Sequence, residues 1–270
     1  MPSYFDPNIR KLPQRQLFIR SLLPVVQASG VRVDFIRQTA FTNSAAPVAA
    51  GGLKPTSVVS VERVTETVRV IAHISEAIDR SLLSDFDALV DFIDGQLRLW
   101  ILLSEEQQII SGSGTAPNLR GILNSTGINI VTRGGTEPRL EALHRGITAC
   151  RAAFHEPNAI VMNPADYEEA LFEKDANGNY IAGSVKEADP GRLWGKEVIT
   201  SPVLTAGTAI VGAFAVGAVL WDREQARVTF TEVGLGGAAG QELYSRNQLR
   251  FRAEEPVRSA SPIPQPSLKS

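Results

Sequence analysis

The sequence predicts an α+β fold laid out along one long helix, and three observations support this. Residues 84–111, SDFDALVDFIDGQLRLWILLSEEQQIIS, repeat apolar residues at helical steps. Two stretches, RVDFIRQTAF and VVSVERVTETVRVIAHI, are β-branched with charges scattered along them, as in strands exposed on at least one face. Further on, short strand-like and helix-like segments alternate before two more long strands close the chain.

In chain order, residues 1–30 are a polar start followed by LFIRSLLPVVQ, an apolar segment broken by Pro24, and they predict an arm with one short helix. The two β-branched stretches enclose TNSAAPVAAGGLKP, too rich in Ala, Gly and Pro to form a core, so together they predict a projecting β-hairpin. A two-stranded hairpin is marginal alone in water and needs support, from a neighbouring subunit or from an edge of its own domain. In the long helix, Phe86, Leu89, Val90, Ile93, Leu97, Trp100 and Ile101 mark one apolar face. Asp87, Asp91, Asp94 and Arg98 lie opposite, while Phe92, Leu99, Leu102 and Leu103 widen the stripe. Ser84 is suited to cap its start, Gly95 is a weak point inside it, and Gly112 and Gly114 are suited to end it. At 1.5 Å per residue the helix is roughly 40 Å long, the width of a small domain.

SGSGTAPNLRGIL follows. It lacks the lysine and the strand-to-helix setting of a phosphate-binding loop, so it reads as a helix cap running into a turn. Thr136-Glu137-Pro138 opens a second helix with Leu140, Leu143, Ile147 and Phe154 on one face. AIVMNP is a buried strand stopped by Pro164, PADYEEALFEK a third helix, and DANGNY a turn. KEVIT, TAIVGAF and AVLWD are strands of a compact mixed middle near 126–222. RVTFTEV and LYSRNQLRFRAEE are long strands separated by GLGGAAGQ, and SPIPQPSLKS is a tail without core-forming residues.

Composition narrows the function. A net charge of −2 gives no global basic field for nucleic acid, so any contact with DNA would be local and weak. The single cysteine, Cys150, makes no internal disulfide and suits a reducing compartment. No apolar run reaches the ~18 residues of a membrane span, and the start lacks a signal-peptide core. His73, His144 and His155 have no metal-ligand spacing, and no GxSxG elbow supplies a nucleophile. The adjacent carboxylates Glu105-Glu106 and Glu168-Glu169 are expected to face solvent on helices, and Glu254-Glu255 to face opposite sides of a strand. Trp100, Trp194 and Trp221 read as core or interface anchors. The residues point away from a conventional enzyme and call for no cofactor and no metal.

The order of parts resembles the major capsid proteins of tailed bacteriophages, the Hong Kong 97-type fold shared with encapsulins. AFTNSAAPVAAGGLKPTS followed by VRVIAHISEAIDR is similar to the family's extended loop and the strand leading to its spine helix. SEEQQIISGSGTAPNLRGIL, ending in Gly121-Ile122-Leu123, resembles the end of the spine and its glycine-rich turn. AIVMNPADYEEALFEKDANGNYI resembles a segment of the axial domain, and LWGKEVITSP, VGAF and VLWDREQARVTFTEV the strands that return to the peripheral domain. The likeness covers about residues 30–262.

The resemblance implies an N-terminal arm over 1–30 and an extended loop over 31–75. It implies a peripheral domain with the spine over 76–125 and 223–257, and an axial domain with the C-terminal tail over 126–222 and 258–270. The implied function is a shell protein that self-assembles into hexamers and pentamers of an icosahedral head around double-stranded DNA. The implied partners are copies of itself, a portal, scaffolding or decoration proteins, and DNA held by weak non-specific contact, with no membrane. The implied place is the virion, assembled in the host cytoplasm. An encapsulin-like nanocompartment holding a cargo enzyme is the alternative. Many family members carry an upstream scaffolding region that a protease removes. With about 30 residues before the extended loop, a separate scaffold or another assembly route is expected, unless that region is not part of this sequence.

One branch of the family joins subunits through an isopeptide bond between a loop lysine and an asparagine, with a glutamate as base. The resemblance places Lys54, Asn247 and Glu254 at those positions. Asn247 and Glu254 are an odd number of positions apart, so a regular strand would set them on opposite faces. A bulge, or a glutamate from a further subunit, is then required.

Overall fold

The computed structural model describes residues 9, 12–28, 30, 32–85, 87–135, 137–175, 177–181, 191–236, 241–257 and 261–262. Phe86, Thr136, the glycine-rich residues 237–240 and the tail beyond Pro262 lie outside the described residues.

The chain begins with a short helix α1 (Ile19–Leu22) and strand β1 (Val25–Gln27) on either side of Pro24. The hairpin follows as β2 (Arg32–Thr42) and β3 (Val58–Thr67), then β4 (Arg69–Ile74) and β5 (Ile78–Asp79). Helices α2 (Arg80–Asp85) and α3 (Asp87–Ser111) come next, then a 3₁₀ turn at Ile122–Asn124. The middle holds α4 (Arg139–Ala152), β6 (Ala159–Met162), α5 (Pro164–Leu171), β7 (Arg192–Leu193), β8 (Lys196–Thr200) and β9 (Ala209–Gly212). Then come α6 (Phe214–Gly217), β10 (Ala218–Asp222), β11 (Arg227–Thr231), β12 (Leu235–Gly236), β13 (Gln241–Glu242), β14 (Gln248–Val257) and β15 (Ser261–Pro262).

The larger sheet is built on β14. It pairs antiparallel with β11 on one edge and with β4 and β5 on the other, and meets β10 at Asp222↔Val257. Strand β10 in turn pairs with β1 and β15. A four-stranded sheet in the order β7-β8-β6-β9 forms a second layer. Its central strand β6 is buried along its whole length, which suits the unbroken apolar run AIVM. Asn163 ends that strand and caps α5, its side-chain oxygen accepting from the Ala165 amide at 3.0 Å, with Pro164 at the first helical position.

The spine runs across both layers. Leu97 and Ile101 of α3 pack on Leu249, Phe251 and Ala253 of β14 and on Leu83 of α2. About two turns beyond, Ile109 and Ile110 meet Val161 of β6, Leu220 of β10 and Val257 of β14 in a junction core shared by the two sheets. A third core joins α4 and α5 to the four-stranded sheet through Leu140, Ile147, Ile160, Met162 and Tyr167. At its end, Gly112 and Gly121 pack backbone on backbone: a Cβ at Gly121 would sit 2.4 Å from the Gly112 nitrogen. The Asn124 amide nitrogen donates to the Ser111 and Gly112 carbonyls at 3.0 Å, satisfying two of the helix's last acceptors. The glycine-rich segment is thus a cap and turn.

Several expectations are corrected. Ser84 lies inside α2 and not ahead of a helix, because the apolar pair Leu82-Leu83 extends helix upstream and Leu83 enters the core. Val90 and Trp100 are exposed, since the buried stripe of α3 narrows to the width of β14. Phe154 is exposed past the end of α4, in a left-handed backbone conformation (φ 64°) that turns it off the helical face. The stretch 58–74 is two strands, broken at Val68, with β3 in the hairpin and β4 in the large sheet. The strand expected from Leu243 starts only at Gln248, after a 3₁₀ turn over Tyr244–Arg246.

Candidate assembly interface

The hairpin is the part of the chain that its own fold does not cover. Strands β2 and β3 pair antiparallel from Arg32↔Thr67 to Thr42↔Val58, with a bulge that leaves Thr39 out of register. No residue of either strand is buried, and none belongs to a hydrophobic core. Ile36 is 76% exposed, and Phe41, Val58, Val59 and Val61 are exposed with it. The strands hold each other through cross-strand charges. Arg37 donates to Glu62 at 3.1 Å, and Arg63 donates to Asp34 at 2.5 Å. The Thr65 hydroxyl, then Arg63, hold the Asp34 carboxyl below its ordinary range. The base is anchored to the body where Phe35 stacks on Trp221 of β10 at 5.3 Å between ring centroids. Exposed apolar residues among satisfied charges are the composition of a wet protein–protein contact.

The three residues placed by resemblance fall apart within one chain. Lys54 lies in the exposed tip between β2 and β3, beside Leu53 at 98% exposure. Asn247 is exposed and sits just before β14 in a left-handed conformation (φ 54°, ψ 41°). Glu254 lies within β14 opposite Ala72 and Arg227, part-exposed and 3.3 Å from Arg252. Because Asn247 precedes the strand, the odd spacing to Glu254 does not place them on opposite faces of one regular strand. No hydrogen bond or ion pair among the described residues links Lys54 to either.

The other concentration of function-bearing groups went unseen in the sequence. Arg20 of α1 reaches Glu105 of α3 with one nitrogen 2.6 and 2.7 Å from its two carboxylate oxygens. Its second terminal nitrogen donates to Asp222 at 2.5 Å, and Glu255 of β14 lies 3.6 Å from the first. Next to it, Arg15 pairs with Glu106 at 2.5 Å. Glu105 and Glu106 are therefore buried, contrary to the expectation of a solvated pair, because the N-terminal segment lays two arginines over them. Burial raises the Glu105 carboxyl above its ordinary range. Burial, and then the charge of Glu105, push Glu255 up to about 7.

Comparison with known proteins decides what this arrangement belongs to. The Phage capsid family matches residues 1–259. The chain belongs to the phage capsid family. The major capsid protein of Enterobacteria phage HK97 is 29% identical over 256 residues, 94% of this chain and 63% of that protein's length. The capsid of an empty GTA particle superposes with a TM-score of 0.75 at 19% identity, covering 98% of this chain and 93% of that one. A chain of Mycobacterium phage Adephagia does so at 0.73 and 13% identity, covering 98% and 92%. The α+β fold is accordingly the Hong Kong 97-type capsid fold, and the matching family and relative are those of phage capsids and not of nanocompartments.

In this capsid-family chain the remaining residues singled out above are dispersed. His73 meets Trp100 edge-on at 5.9 Å, His144 meets Trp194 at 4.7 Å, and His155 lies beyond α4. Trp100 and Trp194 are half-exposed and outside the cores, so neither is a core anchor. Glu168 and Glu169 are exposed, as expected, and Glu255 points inward while Glu254 does not. Among the described residues no group of three His, Cys, Asp or Glu side chains could hold a metal ion, and no helix is long and apolar enough to cross a membrane.

Proposed function

We propose that this chain is the major capsid protein of a tailed phage, whose copies assemble into hexamers and pentamers of an icosahedral head enclosing double-stranded DNA. The hairpin carries this reading: two strands of ten or more residues with no buried side chain need a surface from another molecule, and a second copy supplies one. Family membership and the HK97 relative support it. The parts then take the roles of arm (1–30), extended loop (31–75), peripheral domain (76–125 and 223–257) and axial domain with tail (126–222 and 258–270). A portal and scaffolding or decoration proteins are the further partners. DNA contacts are weak, in keeping with a net charge of −2. Assembly takes place in the host cytoplasm and the product is the virion. Electron microscopy of the purified protein tests the reading: closed shells are expected, and soluble monomers under every assembly condition would overturn it.

Crosslinking of the finished shell belongs to the same reading. The neutral amine of Lys54 attacks the side-chain carbonyl of Asn247 on a neighbour, a C–N bond forms, and ammonia leaves. Glu254 takes the amine's proton and returns it to the leaving group. The exposure of Lys54 and Asn247 leaves both open to another copy. A boiled denaturing gel of mature shells should show a ladder that Lys54→Ala removes. A single band at the 29.2 kDa subunit mass would exclude the bond.

A further inference from the structure

The N-terminal segment is fastened to the body by charge as well as by packing. Ile19 and Leu23 enter the junction core. Beyond them the hold is thin: α1 has four residues, and β1 pairs with β10 alone while its three residues stay exposed. A cavity of about 390 Å³ lies between the segment and the spine, lined by Leu17, Arg20, Leu102, Glu105 and Ile109. What closes over it is Arg20, one cation facing Glu105 of α3, Asp222 of β10 and Glu255 of β14. Strand β4 sets Ile71 directly opposite Glu255, with Arg69 and His73 two positions to either side on the same part-buried face, opposite Val257 and Ala253, and the neighbouring Arg15–Glu106 pair is balanced in itself. With every carboxyl ionised, the cluster would carry three negative charges against one positive. One oxygen of Asp222 and one of Glu255 are sealed from water with no hydrogen-bond partner. A buried carboxylate in that state is strongly disfavoured.

We propose that this cluster makes the N-terminal segment a proton-controlled strap, closed while one carboxyl of the cluster holds a proton and released as that proton leaves. Glu255 is the holder, since burial and the charge of Glu105 raise it to about 7 from an ordinary 4.5. The closed state therefore keeps a proton that a hydrated glutamate would already have lost, and opening is favoured as pH rises through that interval. Lifting α1 and β1 takes Ile19 and Leu23 from the junction core and wets Glu105, Asp222 and Glu255 together, while β14 keeps its pairing with β4 and β11.

Hydrogen exchange measured by mass spectrometry on the full chain tests this, with rates corrected for intrinsic pH dependence. From about pH 6 to about pH 8.5, the open fraction of residues 17–27 should rise about tenfold, the ratio that linkage gives for those two protonation values. Glu255→Gln, which mimics the protonated side chain, should hold the strap closed at both pH values. Peptides from β6 and β14 should keep their protection throughout. An unchanged wild-type strap would overturn the proposal, as would a rise that persists in Glu255→Gln. Equal loss of protection in β6 and β14 would overturn it too, because the opening would then be global. The wild-type comparison needs no variant to fold.

Discussion

Ile101 on the spine is 1% exposed and Ile36 on the hairpin is 76% exposed, although both sit in long regular elements that mix apolar and charged residues. The difference lies in what each element has to lean on. The spine crosses two sheets and meets a core at each, so its apolar stripe is covered within one chain. The hairpin has its own partner strand and an aromatic stack at its base, and no residue of it enters a core. The same apolar residue is thus a stability determinant in the first and, on the proposed function, an assembly determinant in the second. Substitutions should separate the two by their effect on the stability of the subunit.

The largest loss belongs to the spine. Leu97→Ala and Ile101→Ala should each destabilise the subunit by about 2–5 kcal/mol in denaturant titrations, since both are fully buried against β14. Ile93, only partly buried against that core, should cost less. Ile36→Ala should stay within about 0.5 kcal/mol. Equal losses at Leu97 and Ile36 would break the comparison.

Next comes Glu255, the charged member of the buried face of β14. Its carboxyl is raised in the folded chain, to about 7 from 4.5, so its contribution to stability is complete below about 4.5 and lost as pH rises to about 7. The loss is at most about 3 kcal/mol. Unfolding at a series of pH values should show the decline, and Glu255→Gln should flatten it. A decline on falling pH over the same interval would contradict the burial argument.

The sequence made some of this contrast legible and hid the rest for identifiable reasons. The helical spacing of Leu97 and Ile101, and the exposed β pattern of 32–42 and 58–67, are local signals and could be read directly. The family motifs placed the whole fold. The break at Val68 could not be read, because β3 and β4 share one composition and only pairing with the distant β14 separates them. The burial of Glu105 was hidden for a similar reason: its counter-charge, Arg20, lies 85 positions away. The exposure of Val90 and Trp100 depends on where the sheet under α3 ends, which periodicity does not encode. For Lys54, Asn247 and Glu254, resemblance alone supplied the positions, and spacing could not show that Asn247 stands ahead of β14 in a left-handed conformation.

A smaller effect is expected where the two regions touch. Phe35→Ala removes the ring stacked on Trp221, an interaction of about 0.5–1.5 kcal/mol beyond area burial, from a hairpin with no other aromatic tie to the body among the described residues. Stability should fall by about 1 kcal/mol. Exchange at the base of β2 should rise, and an unchanged base would place the hairpin's anchor elsewhere.

The smallest effect on stability, and the sharpest on assembly, is expected at the tip. Residues 44–54 make two side-chain bonds to the residues that flank them, the Ser44 amide donating to the Ser57 hydroxyl and the Ala45 amide to the Asn43 side-chain oxygen, both at 3.0 Å, and add nothing to any core. The strands below them pair without the tip from Thr42↔Val58 onward. Deleting Ser44–Lys54 and closing the turn with Asn-Gly, which supplies the backbone a tight hairpin needs, should leave thermal unfolding near that of the full chain. Because the exposed strands have no other use within the subunit, the same protein should form no shells by electron microscopy. A subunit that unfolds on deletion would mean that the hairpin supports its own core. Normal shells from the deleted chain would mean that the contact between copies lies elsewhere. Loss of shells with intact folding is the outcome that only an inter-subunit hairpin gives.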